Sequence, residues 1–109
     1  MDAISGDISC EEAYTFLGNE NVIFLDVRTS EENQRNAIEG SLNVPINEIS
    51  EKIRKLIPEK KTQIIVYCLS GSRSIIAMEI LNDLGYQNVF NMAQGLLAWR
   101  AKKFPLRNT

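Results

Sequence analysis

Two short runs, Val22 to Leu25 in "NVIFLDVR" and Ile64 to Tyr67 in "TQIIVYC", are apolar at every position and carry no helical period. Strands covered on both faces read this way, and such strands belong to parallel sheets. Elsewhere the spacing is helical. Ile46, Ile49, Ile53, Leu56 and Ile57 recur on one face, with Glu48, Glu51, Lys52, Arg54 and Lys55 opposite, and Pro58 closes the segment. "SIIAMEILNDLGY" predicts another helix, with Ile76, Ile80 and Leu84 on its apolar face and Gly85 at its end. "NVFNM" predicts a further strand and "QGLLAWRAKK" a last helix, with its cations towards the C-terminal end, where the dipole favours them. Strands alternating with helices imply βαβ units, so the expected class is α/β, a parallel sheet with helices on both faces.

Shorter signals fill the gaps. Ser9 with Glu12 three positions on forms a capping box, which predicts a helix over about residues 10 to 17 with Gly18 as its stop. "TSEENQR" predicts a brief helical turn from Ser30, and "GSLNVP" a short strand stopped by Pro45. The charges of "EKIRKLIPEKK" read as a solvated helix face, and Trp99 with Leu96 as the packing of the last helix onto the sheet. No internal repeat, linker or low-complexity tract divides the 109 residues, so a single domain over 1–109 is expected.

Composition removes several function classes. A formal net charge of -2 gives no electrostatic basis for nucleic-acid binding. No apolar stretch approaches membrane-spanning length, and Met1 to Ser9 lacks the basic and apolar regions of a targeting signal, so a cytoplasmic protein is expected. Two cysteines, Cys10 and Cys68, do not make a disulfide framework, and Cys10 reads as an incidental surface thiol. The chain has no histidine. Cys-His dyads, Ser-His-Asp triads and His-based metal sites all depend on an imidazole, so any thiol chemistry must lower the cysteine pKa by other means.

"YCLSGSRS", residues 67 to 74, is where such chemistry fits. In open α/β sheets, sites collect where strand ends meet helix starts, and Cys68 stands at such a junction. A cysteine ending a buried strand is, taken alone, a small hydrophobe. The residues after it, however, are small, polar and glycine-containing, and they lead directly into a helix. Such a loop curls its backbone N–H groups inward, forming an anion-binding nest at the positive end of the helix dipole, where thiolate is favoured over thiol. Gly71 allows the tight turn, and Ser70, Ser72 and Ser74 supply hydroxyls. Arg73 adds a guanidinium suited to an oxyanion; the alternative for it is a structural pair with a nearby carboxylate. Asp26 and Arg28 end the strand beside this loop, either supporting the site by pairing with Arg73 or Glu32 or forming an ion pair of purely structural value.

With these motifs in view, the chain resembles the single-domain rhodaneses, a sulfurtransferase family. "CLSGSRS" is similar to the family's C-x-x-G-x-R-S loop, "LDVRTSEE" to its D-x-R strand end, "IEGSLNVP" to its I-x-G-A-x-N-[IV]-P segment and "NMAQGLLAW" to its closing G-x-x-x-W. Two departures stand out: Asn36, Ala37 and Ile38 replace a Gly-His-Ile, and the usual double glycine is reduced to Gln94-Gly95. The resemblance implies a three-layer fold with a five-stranded parallel sheet, Cys68 as sulfur acceptor and the backbone of Leu69 to Arg73 as its cradle, with Ser74 closing the loop. It further implies a thiosulfate-like sulfur donor, a thiol or cyanide acceptor, and no cofactor or metal. The alternatives are a non-catalytic interaction module of the same fold, and a cysteine-dependent phosphatase or arsenate reductase. The latter families use C-x5-R, and here only four residues separate Cys68 from Arg73.

Overall fold

A computed structural model describes residues 4–108. Strand β1 (Ile4–Ile8) leads into α1 (Cys10–Tyr14), followed by β2 (Val22–Asp26), α2 (Ser30–Arg35) and the two-residue strands β3 (Asn36–Ala37) and β4 (Leu42–Asn43). A 3-10 turn at Ile46–Glu48 precedes α3 (Ile49–Leu56), and then come β5 (Gln63–Tyr67), α4 (Ser72–Asp83), β6 (Asn88–Met92), α5 (Gly95–Ala101) and β7 (Arg107–Asn108).

Five strands form one sheet in the order β1-β6-β5-β2-β4, and every pairing in it is parallel. β3 and β7 pair antiparallel beside it. The two apolar runs occupy the middle of this sheet and pair residue for residue, Val22 with Gln63 through Asp26 with Tyr67. Their lack of period now has a cause. Leu25, Ile64 and Val66 face a core shared with Ile49, Ile53, Ala77 and Leu81 of α3 and α4. Phe24, Ile65 and Tyr67 face a second core with Ala13, Leu96 and Trp99 of α1 and α5. Phe24, Leu25 and Ile64 to Tyr67 are buried, and Val22 and Ile23 partly so, because both faces are covered, which gives the three layers expected.

Several expectations need correction. "ISGDI" offers no strand signal, with Gly6 and Asp7 in it, yet β1 pairs with β6 over its full length, Ile4 with Asn88 to Ile8 with Met92. An edge strand draws its ladder from the neighbour, which overrides weak local propensity. The helix expected over 10 to 17 is regular only to Tyr14, and its remainder is a series of turns ending at Gly18. The helix expected from Ile46 starts as the 3-10 turn. In α4 the buried residues are Ser74, Ala77 and Leu81; Ile80 and Leu84 are partly buried against the same core, whereas Ile76 is 52% exposed. The loop that ends at Gly71 sets the rotation of α4, so Ser74, Ala77 and Leu81 lie over the sheet while Ile75 and Ile76 are exposed. Cys10 is buried, not a surface thiol, and packs in the α1–α5 layer. Trp99 and Leu96 are buried as expected, and Trp99 Nε1 donates to the Pro105 carbonyl at 2.8 Å. No helix among the described residues is long and apolar enough to cross a membrane.

Candidate active site

Cys68 directly follows β5, and its side chain lies on the α4 face of the sheet with Ile64 and Val66. The chain then turns over three residues into α4. Gly71, the N-cap, sits at φ +102°, a left-handed conformation that glycine adopts without strain. From there the Gly71 N–H donates to Cys68 Sγ at 3.0 Å and the Ser74 N–H at 3.4 Å. Ser74 Oγ is also 3.4 Å from the sulfur and bonds the Gly71 carbonyl at 3.2 Å. Burial pushes the thiol pKa up; hydrogen bonding from the Ser74 hydroxyl and from the N–H groups of Ser74, Gly71 and Arg73 outweighs it, and the group lies below its ordinary value. No imidazole is involved.

The loop is held from behind by the start of α5. The N–H groups of Leu96 and Leu97 donate to the carbonyls of Cys68 and Leu69, at 2.9 and 3.0 Å. These are N–H groups that the first turn of a helix leaves without intrahelical partners. With its carbonyls fixed on that side, the loop presents its N–H groups to the sulfur on the other. Close approach requires two glycines. A Cβ on Gly71 would lie 2.1 Å from the Ala93 carbonyl oxygen, and one on Gly95, at φ +63°, would lie 2.4 Å from that of Leu69. Sequence reasoning singled out Gly71 but not Gly95; the signal available was the one glycine retained in "NMAQGLLAW".

The remaining loop residues divide by role. The hydroxyls of Ser70 and Ser72 lie 3.4 Å apart on the exposed rim. The Leu69 side chain packs against the α1–α5 core. Arg73 does not stand free for an oxyanion: Nη1 and Nη2 donate to the two carboxylate oxygens of Glu32, at 2.7 and 3.0 Å. Glu32 is itself placed by α2, where it accepts from the Thr29 N–H at 3.1 Å in a capping box. The Arg73 guanidinium holds the Glu32 carboxyl down at about 2. Thr29, not Ser30, caps α2, and the T-x-x-E spacing was the readable sign.

Asp26 and Arg28 form a buried ion pair, with Arg28 Nε and Nη2 donating to the two Asp26 oxygens at 2.9 and 2.8 Å. Asn33 donates to Asp26 at 2.9 Å, and Arg28 donates to the Asn36 carbonyl at 2.7 Å, so the pair ties β2 to α2 and β3. It makes no hydrogen bond to Cys68, Arg73 or Glu32. Cys10 belongs to the core on the opposite face of the sheet from Cys68, and the structure does not bring the two thiols together. Burial pushes the Cys10 pKa up. Beside the loop, a cleft of about 210 Å³ is lined by Arg28, Glu32, Arg35, Asn36, Leu69 and Arg100.

Residues 9–102 match the family described as Rhodanese-like domain. Over 68 residues the chain is 38% identical to the thiosulfate sulfurtransferase PspE of Escherichia coli, covering 62% of this chain and 65% of that protein, just under two thirds of its length. Over 87 residues it is 31% identical to a sulfurtransferase of Allochromatium vinosum, covering 80% and 79% of the two chains. A solved structure described as rhodanese with anions from E. coli superposes with a TM-score of 0.71 at 34% identity, covering 81% of this chain and 99% of that one.

Proposed function

This chain belongs to the rhodanese-like domain family, and from that premise we propose that it is a sulfurtransferase carrying the transferred sulfur as a persulfide on Cys68. The observation that carries the reading is the convergence of the Gly71 and Ser74 N–H groups on Cys68 Sγ. Donors fixed in advance around a buried sulfur stabilise the anion on either side of the reaction.

In the first half-reaction the Cys68 thiolate attacks the outer sulfur of thiosulfate. A new S–S bond forms, the bond within the donor breaks, and sulfite leaves with its electron pair. Sulfite is a stable anion that needs no proton to depart, so the step runs without a general acid. In the second half-reaction a thiol or cyanide takes the outer sulfur, and Cys68 returns to thiolate. The phosphatase reading asks Arg73 to hold a tetrahedral oxyanion over the sulfur, but both of its terminal nitrogens bond Glu32.

Intact mass spectrometry after mixing with thiosulfate tests the proposal. The expected result is a gain of one sulfur atom that cyanide removes and that Cys68→Ser lacks. A protein that gains no sulfur, or a Cys68→Ser variant that still gains it, overturns the reading.

A further inference from the structure

The cleft beside the catalytic loop carries more positive charge than its own pairings use. Of its four charged residues, Glu32 is engaged by Arg73, and Arg28 by Asp26. Arg35 and Arg100 have no ion-pair partner among the described residues. Each stands in the last turn of its helix, α2 or α5, where the dipole accounts for a cation. The dipole does not account for two such residues, 65 positions apart in sequence, lining one cleft whose wall includes Leu69, the residue after the nucleophile. Guanidinium groups pair with carboxylates through two parallel hydrogen bonds, a geometry that ammonium lacks.

We propose that Arg35 and Arg100 form a carboxylate-binding subsite, and that the sulfur acceptor is an organic thiol carrying a carboxylate seated there. This rests on the sulfurtransferase reading above. The persulfide left by the donor first takes one proton from solvent. The acceptor's thiolate attacks the outer sulfur, a new S–S bond forms, and the bond to Cys68 Sγ breaks with its electron pair left on Cys68. The outer sulfur leaves with its proton on the acceptor. Holding the acceptor by its carboxylate converts an encounter between two dissolved species into a positioned one. Cyanide and other small acceptors gain nothing from the subsite.

The test uses the full chain loaded with sulfur from thiosulfate, then freed of donor. Loss of the extra mass is followed with mercaptosuccinate, 2-mercaptoethanol and cysteamine, and rates are expressed per thiolate present. Mercaptosuccinate is expected to discharge the protein about tenfold faster than 2-mercaptoethanol, with cysteamine slowest, and added salt to shrink the ratio. Arg35→Gln and Arg100→Gln are each expected to reduce the mercaptosuccinate to 2-mercaptoethanol ratio about fivefold, the size of one exposed ion pair. A wild-type ratio near one, or a ratio that survives in the double variant, overturns the subsite and leaves the sulfurtransferase reading standing. A protein that takes no sulfur from thiosulfate overturns both.

Discussion

Gly95 and Leu69 lie so close that a Cβ on the glycine would sit 2.4 Å from the Leu69 carbonyl oxygen. Through this contact the start of α5 presses against the back of the Cys68 loop, and the Leu96 and Leu97 N–H groups hold its carbonyls. Gly95→Ala adds both a backbone clash and a methyl at φ +63°. Strain of that kind is about 1–2 kcal/mol before the clash is counted. The expected outcome is lower stability in urea and a fall in sulfur transfer beyond what the unfolded fraction explains. Full activity in the folded variant would show that the contact does not position the loop.

Ser74 is the loop's other lever on reactivity. Its hydroxyl and its N–H both reach Cys68 Sγ, and only the hydroxyl is lost in Ser74→Ala. A hydrogen bond to a charged group contributes about 1.5–3 kcal/mol, so alkylation of Cys68 at neutral pH should slow by about tenfold or more. The midpoint of its alkylation against pH should rise in the variant, since a donor that favours the thiolate is gone. An unmoved midpoint would leave the backbone donors as the sole cause of the depressed pKa.

The Arg73–Glu32 pair links stability to acidity. Glu32 is held at about 2 against an ordinary 4.5, so its proton is bound more weakly in the folded chain than in the unfolded one. Its contribution is therefore present above about pH 4.5 and is lost as pH falls towards 2. Both groups are partly exposed, and screening brings the effect down to about 1–2 kcal/mol. Denaturant unfolding of wild type and Glu32→Gln should differ by that amount at pH 7, and the gap should narrow between pH 4.5 and 2. A gap constant across that window would show that the pair contributes nothing through ionisation.

The rotation of α4 separates two residues that look alike in sequence. Leu81 is fully buried whereas Ile76 is half-exposed. Leu81→Ala should destabilise by about 2–5 kcal/mol through lost burial and a residual cavity. Ile76→Ala should change stability by no more than about 0.5 kcal/mol, as surface substitutions do. Equal losses for the two in thermal unfolding would contradict the observed face.

Much of the frame was readable because the residues that build it carry their environment in their own chemistry. Ile64 to Tyr67 and Val22 to Leu25 are apolar at every position because helices cover both faces of the central strands, and Ser9 with Glu12 marks a helix start by local hydrogen bonds alone. The candidate site was legible for the same reason: Cys68 stands between a buried strand and a small polar loop whose N–H groups turn to its sulfur. β1 was not, since Gly6 and Asp7 contribute nothing to strand formation and the ladder comes from β6, more than 80 residues away. Nor did the pattern of α4 reveal its face, because Ile75, Ile76 and Ile80 are equivalent until the loop sets their rotation.

What the order of amino acids determined by itself was the alternation of strand and helix, the position of the sulfur and the absence of any imidazole to serve it. Only the tertiary structure decided that Arg73 turns to Glu32, that Asp26 keeps Arg28, and that Gly95 and Ala93 close on the loop from another layer. The Arg73–Glu32 pair and the glycine contacts join segments distant in the chain, and Asp26 and Arg28, though two residues apart, are tied together to Asn33 and Asn36. Charge and backbone shape make such partners compatible, but packing of the layers chooses among them, because hydrogen bonds and ion pairs act only over the few ångströms that folding brings about.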